Sequence, residues 1–203
     1  MKSAAKLLVL LVFIFCGQRL TGKAAESAHT LPSARPSHAP GSAVRFEHIT
    51  VQDGLSQNAA LAIFQDRRGF LWIGTQDGLN RYDGYSFTTF KQDADNPASI
   101  SHNSILSIAE DRDGLLWIGT WGGGLNRFDP ATEKFTAYRH IPDDPSSLSN
   151  DTVTSILEDS NGVLWVGTLD GLNRFNPQNN GFDHFGNVPD DLTSLSSEVV
   201  PNQ

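Results

Sequence analysis

The amino-acid sequence predicts an all-β fold, built from three copies of a four-stranded antiparallel sheet. One observation is a long repeat, since FLWIGT at 70–75 returns as LLWIGT at 115–120 and as VLWVGT at 163–168. A second is that most of the 18 glycines recur at turns, several of them in Asp-Gly or Asn-Gly pairs, which favour β-hairpins. A third is that the repeated strands are apolar on both faces, so neighbouring sheets must cover both sides of each sheet.

The composition limits the classes of partner. The chain has 203 residues and a formal net charge of −8, and a chain of this length can form one domain with a core. Its first 25 residues carry basic but no acidic side chains, so the remainder is more acidic than the whole. Because an acidic chain without a basic stripe repels phosphate backbones, we expect no nucleic-acid partner.

Residues 1–25 have the pattern of a secretory signal peptide. Lys2 and Lys6 precede ten apolar residues, 7–16, and small residues follow, with cleavage expected near Ala24 or Ala25. The apolar run is half the length of a membrane-spanning helix, so we expect a cleaved signal and an exported, periplasmic protein. The chain's single cysteine lies in this run, which leaves no disulfide in the mature chain.

Residues 26–43 form the next expected segment, a disordered linker. It is rich in Ser, Ala and Pro and has almost no large apolar residue, so it cannot bury a core. His29 and His38 lie in this segment, and we interpret them as exposed linker residues rather than metal ligands.

The repeats define the remaining boundaries. Residues 44–58 are expected to hold an unpaired strand (RFEHIT, 45–50) and a crossover, the strand being of the kind that closes a ring of sheets. A fourth repeat is expected to begin and to be cut by the end of the chain. The three repeats and this start of a fourth are 59–101, 102–149, 150–196 and 197–203.

The third repeat shows how one unit is expected to fold. Asn161-Gly162 and Asp170-Gly171 supply residues that accept positive φ, and they separate three short apolar runs. Pro177 and a further Asn-Asn-Gly turn separate the last strand. The predicted strands are 153–158, 163–168, 172–176 and 182–185.

The second strand of each repeat carries the strongest pattern. Its tryptophan alternates with Ile or Val, so the two faces of the strand are both apolar, and a glycine follows where adjacent sheets are expected to approach closely. An Asn-Arg pair recurs in each third strand, and we interpret it as tying turns together by hydrogen bonds. These residues are Trp72, Trp117, Trp165, Ile73, Ile118, Val166, Gly74, Gly119, Gly167, Asn80, Arg81, Asn126, Arg127, Asn173 and Arg174.

No catalytic, metal or cofactor site is predicted. The turns 111–114 and 159–162 are acidic, but the full ligand set of a calcium loop is absent, so we interpret them as hairpin turns. The histidines show no ligand spacing. They are His48, His102, His140 and His184.

The pattern resembles the two-component regulator propeller repeat, through its turn glycine, LWIGT, GLNRF and a later SLS segment. The resemblance covers 45–200. It implies β-propeller blades in an extracytoplasmic sensor, in which many repeats build one or two seven-bladed rings. A β-sandwich, a membrane helix and a histidine kinase or diguanylate cyclase usually follow. This chain stops after three repeats, so we expect an N-terminal fragment, an incomplete ring, and any membrane contact or output activity in C-terminal segments outside it.

The expected function is therefore non-catalytic sensing of a small extracellular ligand, which is expected to bind in the central funnel of the propeller, by a receptor that forms a homodimer. Two alternatives stay open: a protein-interaction scaffold, and a propeller lyase or glycan hydrolase. The one weak candidate for a ligand contact is Trp121, which stands on a Gly-rich turn one residue longer than its counterparts. An aromatic ring there could stack on a carbohydrate or pack on a second domain.

An incomplete ring also makes a prediction about stability. The two terminal sheets would each leave one apolar face exposed to water. Trp117 belongs to the middle sheet, so we expect its loss to destabilise the chain more than the loss of Trp72 or Trp165. We also expect the chain to self-associate through its open faces and its unpaired strand.

Overall fold

The structure is a computed structural model that describes residues 48–187, 191, 194 and 195. The expected signal peptide at 1–25, the linker at 26–43 and the start of a fourth repeat at 197–203 lie outside the described residues. Within the described part, the predicted all-β fold is confirmed. Twelve strands form three four-stranded sheets, and the only helical segment there is a 3-10 turn, Val51–Asp53.

Each sheet is an antiparallel meander in which the strands follow chain order. Sheet 1 contains β1 (Ala60–Gln65), β2 (Leu71–Thr75), β3 (Gly78–Tyr82) and β4 (Phe87–Phe90). Sheet 2 contains β5 (Ile105–Glu110), β6 (Leu116–Thr120), β7 (Leu125–Asp129) and β8 (Lys134–Tyr138). Sheet 3 contains β9 (Val153–Glu158), β10 (Leu164–Thr168), β11 (Gly171–Asn176) and β12 (Gly181–Phe185). The first strands of the sheets, β1, β5 and β9, lie beside one another, which makes them the inner strands of successive propeller blades.

The predicted strand at 45–50 is not found over its described part. Residues 48–50 are not in a strand, and Thr50 instead caps the 3-10 turn. The Thr50 side chain accepts a hydrogen bond from the Gln52 amide, and the Thr50 amide donates to the Asp53 carboxylate. Because Thr and Asp side chains offer the backbone local partners, they compete with strand pairing. The rest of the predicted strand, 45–47, lies outside the described residues.

The sheets pack face to face through two apolar joints. In the first joint, the Trp72 ring meets the Phe128 ring of sheet 2 edge-on, with 5.4 Å between the ring centroids. In the second joint, Trp117 meets Phe175 of sheet 3 in the same way, at 5.1 Å. In the second strand of sheets 1 and 2, the tryptophan therefore faces the following sheet. The next residue along the second strand, Ile118 in sheet 2 and Val166 in sheet 3, faces the preceding sheet.

This direction of packing corrects the expectation that one face of the Trp72 strand would leave the tryptophan exposed to water. Trp72 is fully buried, as is Trp117 apart from 3% of its surface, and Trp165 is only half-buried. The expectation that Trp72 and Trp165 would resemble each other is wrong, because the outward face of sheet 1 carries Ile73 in place of the tryptophan. Trp72 and Trp117 are the equivalent pair.

Two glycines let the sheets approach closely, and two crossover residues fill the joints between the sheets. A Cβ atom on Gly74 would lie 2.6 Å from Ile105 Cγ2, and one on Gly119 would lie 2.7 Å from Val153 Cγ1, so a side chain at either position would clash with the next sheet. The expected close approach is confirmed at both. Ile100 and Leu148 belong to the crossovers between sheets and are fully buried, one in each joint.

Candidate binding surface on the upper rim

The loops at one end of the strands combine an exposed aromatic ring with polar side chains, and we call this end of the three sheets the upper rim. It contains the turns between β2 and β3, β6 and β7, and β10 and β11, with the ends of the crossovers that enter β5 and β9. Backbone hydrogen bonds connect these loops, for example from Gly78 N to Asn103 O at 2.8 Å and from Leu169 N to Thr152 O at 3.3 Å. The turns of one sheet are thereby fixed against the entry to the next.

The sequence-predicted candidate, Trp121, lies at the centre of this rim and is 56% exposed. Its backbone forms an isolated β-bridge with Thr152, and its amide donates to Ser104 O at 3.0 Å. The amides of Gly122 and Gly124 both donate to Asp151 O, at 3.1 and 2.8 Å. The indole therefore stands in solvent on a backbone held by both flanking crossovers.

Glycine is required in this turn. Gly122 and Gly124 both have positive φ, +88° and +77°, a conformation that costs a residue with a Cβ free energy. At Gly123, a Cβ would lie 2.5 Å from His102 Cβ. The inserted glycines thus allow a loop one residue longer to fold back tightly and to present Trp121.

The polar side chains in the neighbouring loops of the upper rim are mostly amides and carboxylates. Asn150 Nδ2 donates to Asp170 Oδ2 at 2.8 Å, which joins the last crossover to the turn between β10 and β11. On the other side, Lys91 Nζ pairs with Asp77 Oδ2 at 2.7 Å, and both side chains are about half exposed. A rim that carries an exposed indole in one turn and carboxylates and amides in its neighbouring loops can bind a ligand that has an apolar face and polar edges.

A second concave surface runs along the inner strands β1, β5 and β9. It has a volume of about 780 Å³. Its wall is largely apolar and includes Ile63 and Leu157, which are 66% and 63% exposed. It extends to Trp165 and Leu172 on the outer face of sheet 3. The polar side chains on its wall are those of Ser107, Ser155 and Asp159.

The Asn-Arg pairs have divided roles. Each asparagine is fully buried and fastens a crossover serine: Asn126 Oδ1 accepts from Ser101 N at 3.0 Å, and Asn126 Nδ2 donates to Ser101 Oγ at 2.7 Å. Asn80 and Asn173 make the same bonds to Ser56 and Ser149. The expected hydrogen-bonding role is confirmed for the asparagines.

The arginines of the Asn-Arg pairs lie over aromatic rings instead of fastening a crossover. The Arg127 guanidinium lies 6.0 Å from the Trp117 ring centroid and 5.9 Å from that of Tyr138. Arg81 is placed in the same way over Trp72, at 5.8 Å. They cover aromatic rings at the outer part of each joint.

The acidic turns contain a structural bond that the sequence analysis missed. Asp66 Oδ1 accepts from the amides of Arg68 and Phe70, and its Oδ2 accepts from Trp72 Nε1 at 2.9 Å. Asp111 and Asp159 bond Trp117 Nε1 and Trp165 Nε1 in the same way, at 2.7 and 3.1 Å. The constant spacing of six residues between each Asp and Trp was the available signal. It supports the interpretation of these segments as hairpin turns.

Turn hydrogen bonds also lower the pKa values of several aspartates. The Val163 amide and the Trp165 indole lower the pKa of Asp159, because both donate to the ionised carboxylate. The amides of Ser86 and Tyr85 lower the pKa of Asp83 in the same way. The Ala131 amide and the Thr132 hydroxyl lower that of Asp129. These carboxylates stay ionised and bonded to their own turns, which makes them poor proton donors at neutral pH.

The remaining candidates do not converge. His140 and His184 hydrogen-bond the carbonyl oxygens of Leu148 and Ser147 respectively, while His102 accepts from the Ser104 amide. Among the described residues, no group of three or more His, Cys, Asp or Glu side chains could hold a metal ion. No helix in the described part of the chain is long and apolar enough to cross a membrane.

Known sequences match the repeats. The family model of the two-component regulator propeller matches residues 54–77, 99–122 and 147–170. Histidine kinase P4 of Formosa agariphila is 44% identical over 55 residues, which are 27% of this chain and 4% of that protein.

Solved structures match the fold. The extracellular domain of a hybrid two-component system from B. thetaiotaomicron superposes with a TM-score of 0.68 and 32% identity, over 75% of this chain and 21% of that one. A further extracellular domain from that organism, of a one-component system, has a TM-score of 0.61, 23% identity, and coverage of 74% and 19%. The chain spans about a fifth of the length of these solved relatives. The chain thus carries three repeats that match the two-component regulator propeller family.

Proposed function

We propose that this chain is part of the extracellular ligand-sensing region of a bacterial two-component receptor. The observation that carries the proposal is its 32% identity, over 75% of its length, to the extracellular domain of a hybrid two-component system. The identity to a histidine kinase over 55 residues supports the same class of receptor. Kinase or cyclase activity then belongs to an output module elsewhere in a longer, homodimeric protein.

Export is the first requirement of this proposal. The basic start, the apolar run at 7–16 and the small residues before Glu26 favour cleavage near Ala24 or Ala25 and a periplasmic destination. Mass spectrometry of the exported protein should give a mature N-terminus near Glu26. An intact Met1 on the exported protein would contradict the cleaved signal.

The upper rim is the surface we propose for the ligand, with Trp121 as its aromatic contact. The indole is exposed and its backbone is fixed, so binding immobilises little additional structure. A carbohydrate fits this chemistry, because one face of a pyranose ring is rich in C–H groups that stack on an indole, while its hydroxyls bond carboxylates and amides. Neutral sugars also avoid the repulsion that an acidic chain imposes on anions.

A non-catalytic role is part of the proposal. Its support is that the described turn carboxylates with lowered pKa values, such as Asp129 and Asp159, are engaged by backbone and side-chain donors of their own turns. A propeller lyase or hydrolase needs an acid and a base that converge on one substrate. On the upper rim, the exposed carboxylate of Asp77 pairs with Lys91, and that of Asp170 accepts from Asn150.

Binding to a glycan array, followed by calorimetry on the best ligands, tests this proposal. Trp121→Ala should weaken binding at least tenfold, and Trp121→Phe should retain most of it, because a phenyl ring keeps the stacking surface. The matched control is Tyr85→Ala: Tyr85 is 96% exposed but lies in the turn between β3 and β4, at the opposite edge of its sheet. Equal affinity of the Trp121→Ala and Tyr85→Ala proteins would contradict a ligand site on the upper rim.

A further inference from the structure

The upper-rim turn of sheet 2, between β6 and β7, lacks a carboxylate that its counterparts in sheets 1 and 3 carry. The amides of Asp77 and Asp170 each donate to the hydroxyl of the threonine that ends the second strand, at 3.0 and 3.1 Å. The Gly123 amide makes the same bond in sheet 2, at 3.1 Å. Glycine therefore stands where the other two sheets have aspartate, and a Cβ there would lie 2.5 Å from His102 Cβ.

In the neighbouring sheets, each of these turn carboxylates has a donor partner. Lys91, the first residue after β4, pairs with Asp77 at 2.7 Å between Nζ and Oδ2. Asn150, in the crossover that enters β9, donates from Nδ2 to Asp170 Oδ2 at 2.8 Å. Two positions of the repeat thus supply donors to a turn carboxylate: the exit of the fourth strand and the crossover that enters the first strand.

Sheet 2 has Arg139 and His102 at these two positions. Arg139 follows β8 directly, as Lys91 follows β4. His102 and Asn150 each come after the crossover serine that a buried asparagine fastens, and each accepts the amide two residues further along the chain. Sheet 2 therefore keeps both donor positions, although its own turn offers them no carboxylate.

The structure brings the two donors together beside the exposed indole. Arg139 Nη2 donates at 3.3 Å to Ser101 O, the carbonyl of the peptide bond that leads into His102. His102 Nδ1 accepts from the Ser104 amide at 3.1 Å, so the neutral ring carries its proton on Nε2. The Trp121 amide donates to Ser104 O at 3.0 Å. Among the described residues, neither the guanidinium nor the Nε2–H group bonds a carboxylate.

We propose that the ligand of the upper rim is an acidic sugar, a uronate, whose carboxylate binds Arg139 and His102 in place of the missing turn aspartate. The inference rests on the proposed sensing function and narrows its ligand class. A guanidinium can bind a carboxylate through two parallel N–H···O bonds, and His102 Nε2–H supplies a further donor. The sugar ring then stacks on Trp121, as for any carbohydrate at this rim.

The acidic net charge of the chain does not exclude an anion at this position. Physiological salt screens charges that are more than about 8 Å apart, so the groups in these loops decide whether a carboxylate binds. Arg139 is exposed and forms no ion pair in the described part of the chain. The carboxylate of Asp151, in the crossover that follows, accepts from the His140 amide at 2.7 Å.

Pairs of ligands that differ in charge test this proposal. We would measure calorimetric binding to the 203-residue chain of galacturonate, glucuronate and mannuronate trimers, each as the free acid and as its methyl ester. At least one acid should bind about tenfold or more tightly than its ester, which keeps the ring and the hydroxyls but loses the charge. Added salt should weaken binding of the acid and leave that of the ester unchanged.

Variants assign the preference to the two donors. Arg139→Gln should lower the affinity for the acid to that for the ester, without changing the latter. His102→Ala should weaken binding of the acid, whereas His102→Asn should retain most of it, because asparagine at the equivalent position in sheet 3 accepts the same kind of amide and still donates. The matched control is Lys91→Gln, since Lys91 is already paired with Asp77, and it should leave both affinities unchanged.

The outcomes separate this inference from the proposed function. Equal affinities for acid and ester, failure of all three acids to bind, or an acid preference that survives in Arg139→Gln would overturn the acidic-sugar site. The proposed function would stand in those cases if Trp121→Ala still weakened binding of other glycans. Glycan binding that is unaffected by Trp121→Ala would contradict the ligand site on the upper rim, and this inference with it.

Discussion

The three repeated tryptophans have the same local structure and different surroundings. Each indole donates a hydrogen bond to an aspartate six residues earlier, at 2.9, 2.7 and 3.1 Å along the chain. Trp72 and Trp117 are buried between two sheets, however, whereas Trp165 lies half-buried on the outer face of sheet 3. The repeat motif therefore determines the geometry of each blade, and the stabilising burial depends on the sheet that follows.

The largest expected effect on the free energy of unfolding comes from removing these tryptophans. Trp72→Ala and Trp117→Ala should each lower the free energy of unfolding by about 3–5 kcal/mol, because each leaves a cavity in a joint. Trp165→Ala should cost clearly less, since part of the ring is already in water. Urea unfolding followed by circular dichroism measures all three.

The next largest effect on stability is expected from the glycine that lies two residues after each tryptophan. Gly119→Ala should cost about 1–3 kcal/mol, because the added methyl group would lie 2.7 Å from Val153 Cγ1 and must separate sheets 2 and 3. Gly186→Ala is the matched control, since a Cβ there meets nothing within 4 Å. A Gly119→Ala protein as stable as the control would show that the joint can open at no cost.

The sequence predicted the blades well because their determinants are local. Alternating apolar residues, turn glycines and the Asp-Gly and Asn-Gly pairs all act within one repeat, and the strands of sheet 3 were placed to within one residue. Trp121 could also be singled out, because the longer turn departs from a repeated pattern. Its exposure and its bonds to two crossovers depend on the packing of neighbouring loops.

The direction of packing could not be predicted, because a strand that is apolar on both faces does not reveal which face meets which neighbour. This is why Trp72 was expected to resemble Trp165. The strand predicted at 45–50 fails at 48–50 for a different reason: the Thr50 and Asp53 side chains offer the backbone a local cap. Both errors concern contacts that alternation of apolar residues does not encode.

The aspartate that bonds each tryptophan should show the same difference in its contribution to stability between the joints and the outer face of sheet 3. Asp66 is 4% exposed and its carboxylate accepts three hydrogen bonds, so Asp66→Asn should cost about 1–3 kcal/mol by leaving buried donors unpaired. Asp159→Asn should cost less, because water reaches its turn and can replace the lost acceptor. Thermal unfolding of the two variants at pH 7 makes the comparison, and a larger loss for Asp159→Asn would contradict it.

The smallest effect is a dependence of stability on pH that originates in the turn of sheet 3. The pKa of Asp159 lies below its ordinary value of 3.8, since the Val163 amide and the Trp165 indole donate to the carboxylate. A lowered pKa in the folded state means that the stabilisation is fully present above the unfolded value and is lost as the pH falls through the folded one. Urea unfolding should therefore show a loss of stability from pH 5 downwards that is shallower in Asp159→Asn than in the wild type.

Asp83, Asp129 and Asp144 have pKa values shifted in the same direction, so part of the slope should persist in the variant. Identical slopes for the two proteins would mean that the hydrogen bonds of Asp159 form equally well in the unfolded chain or contribute nothing to the fold.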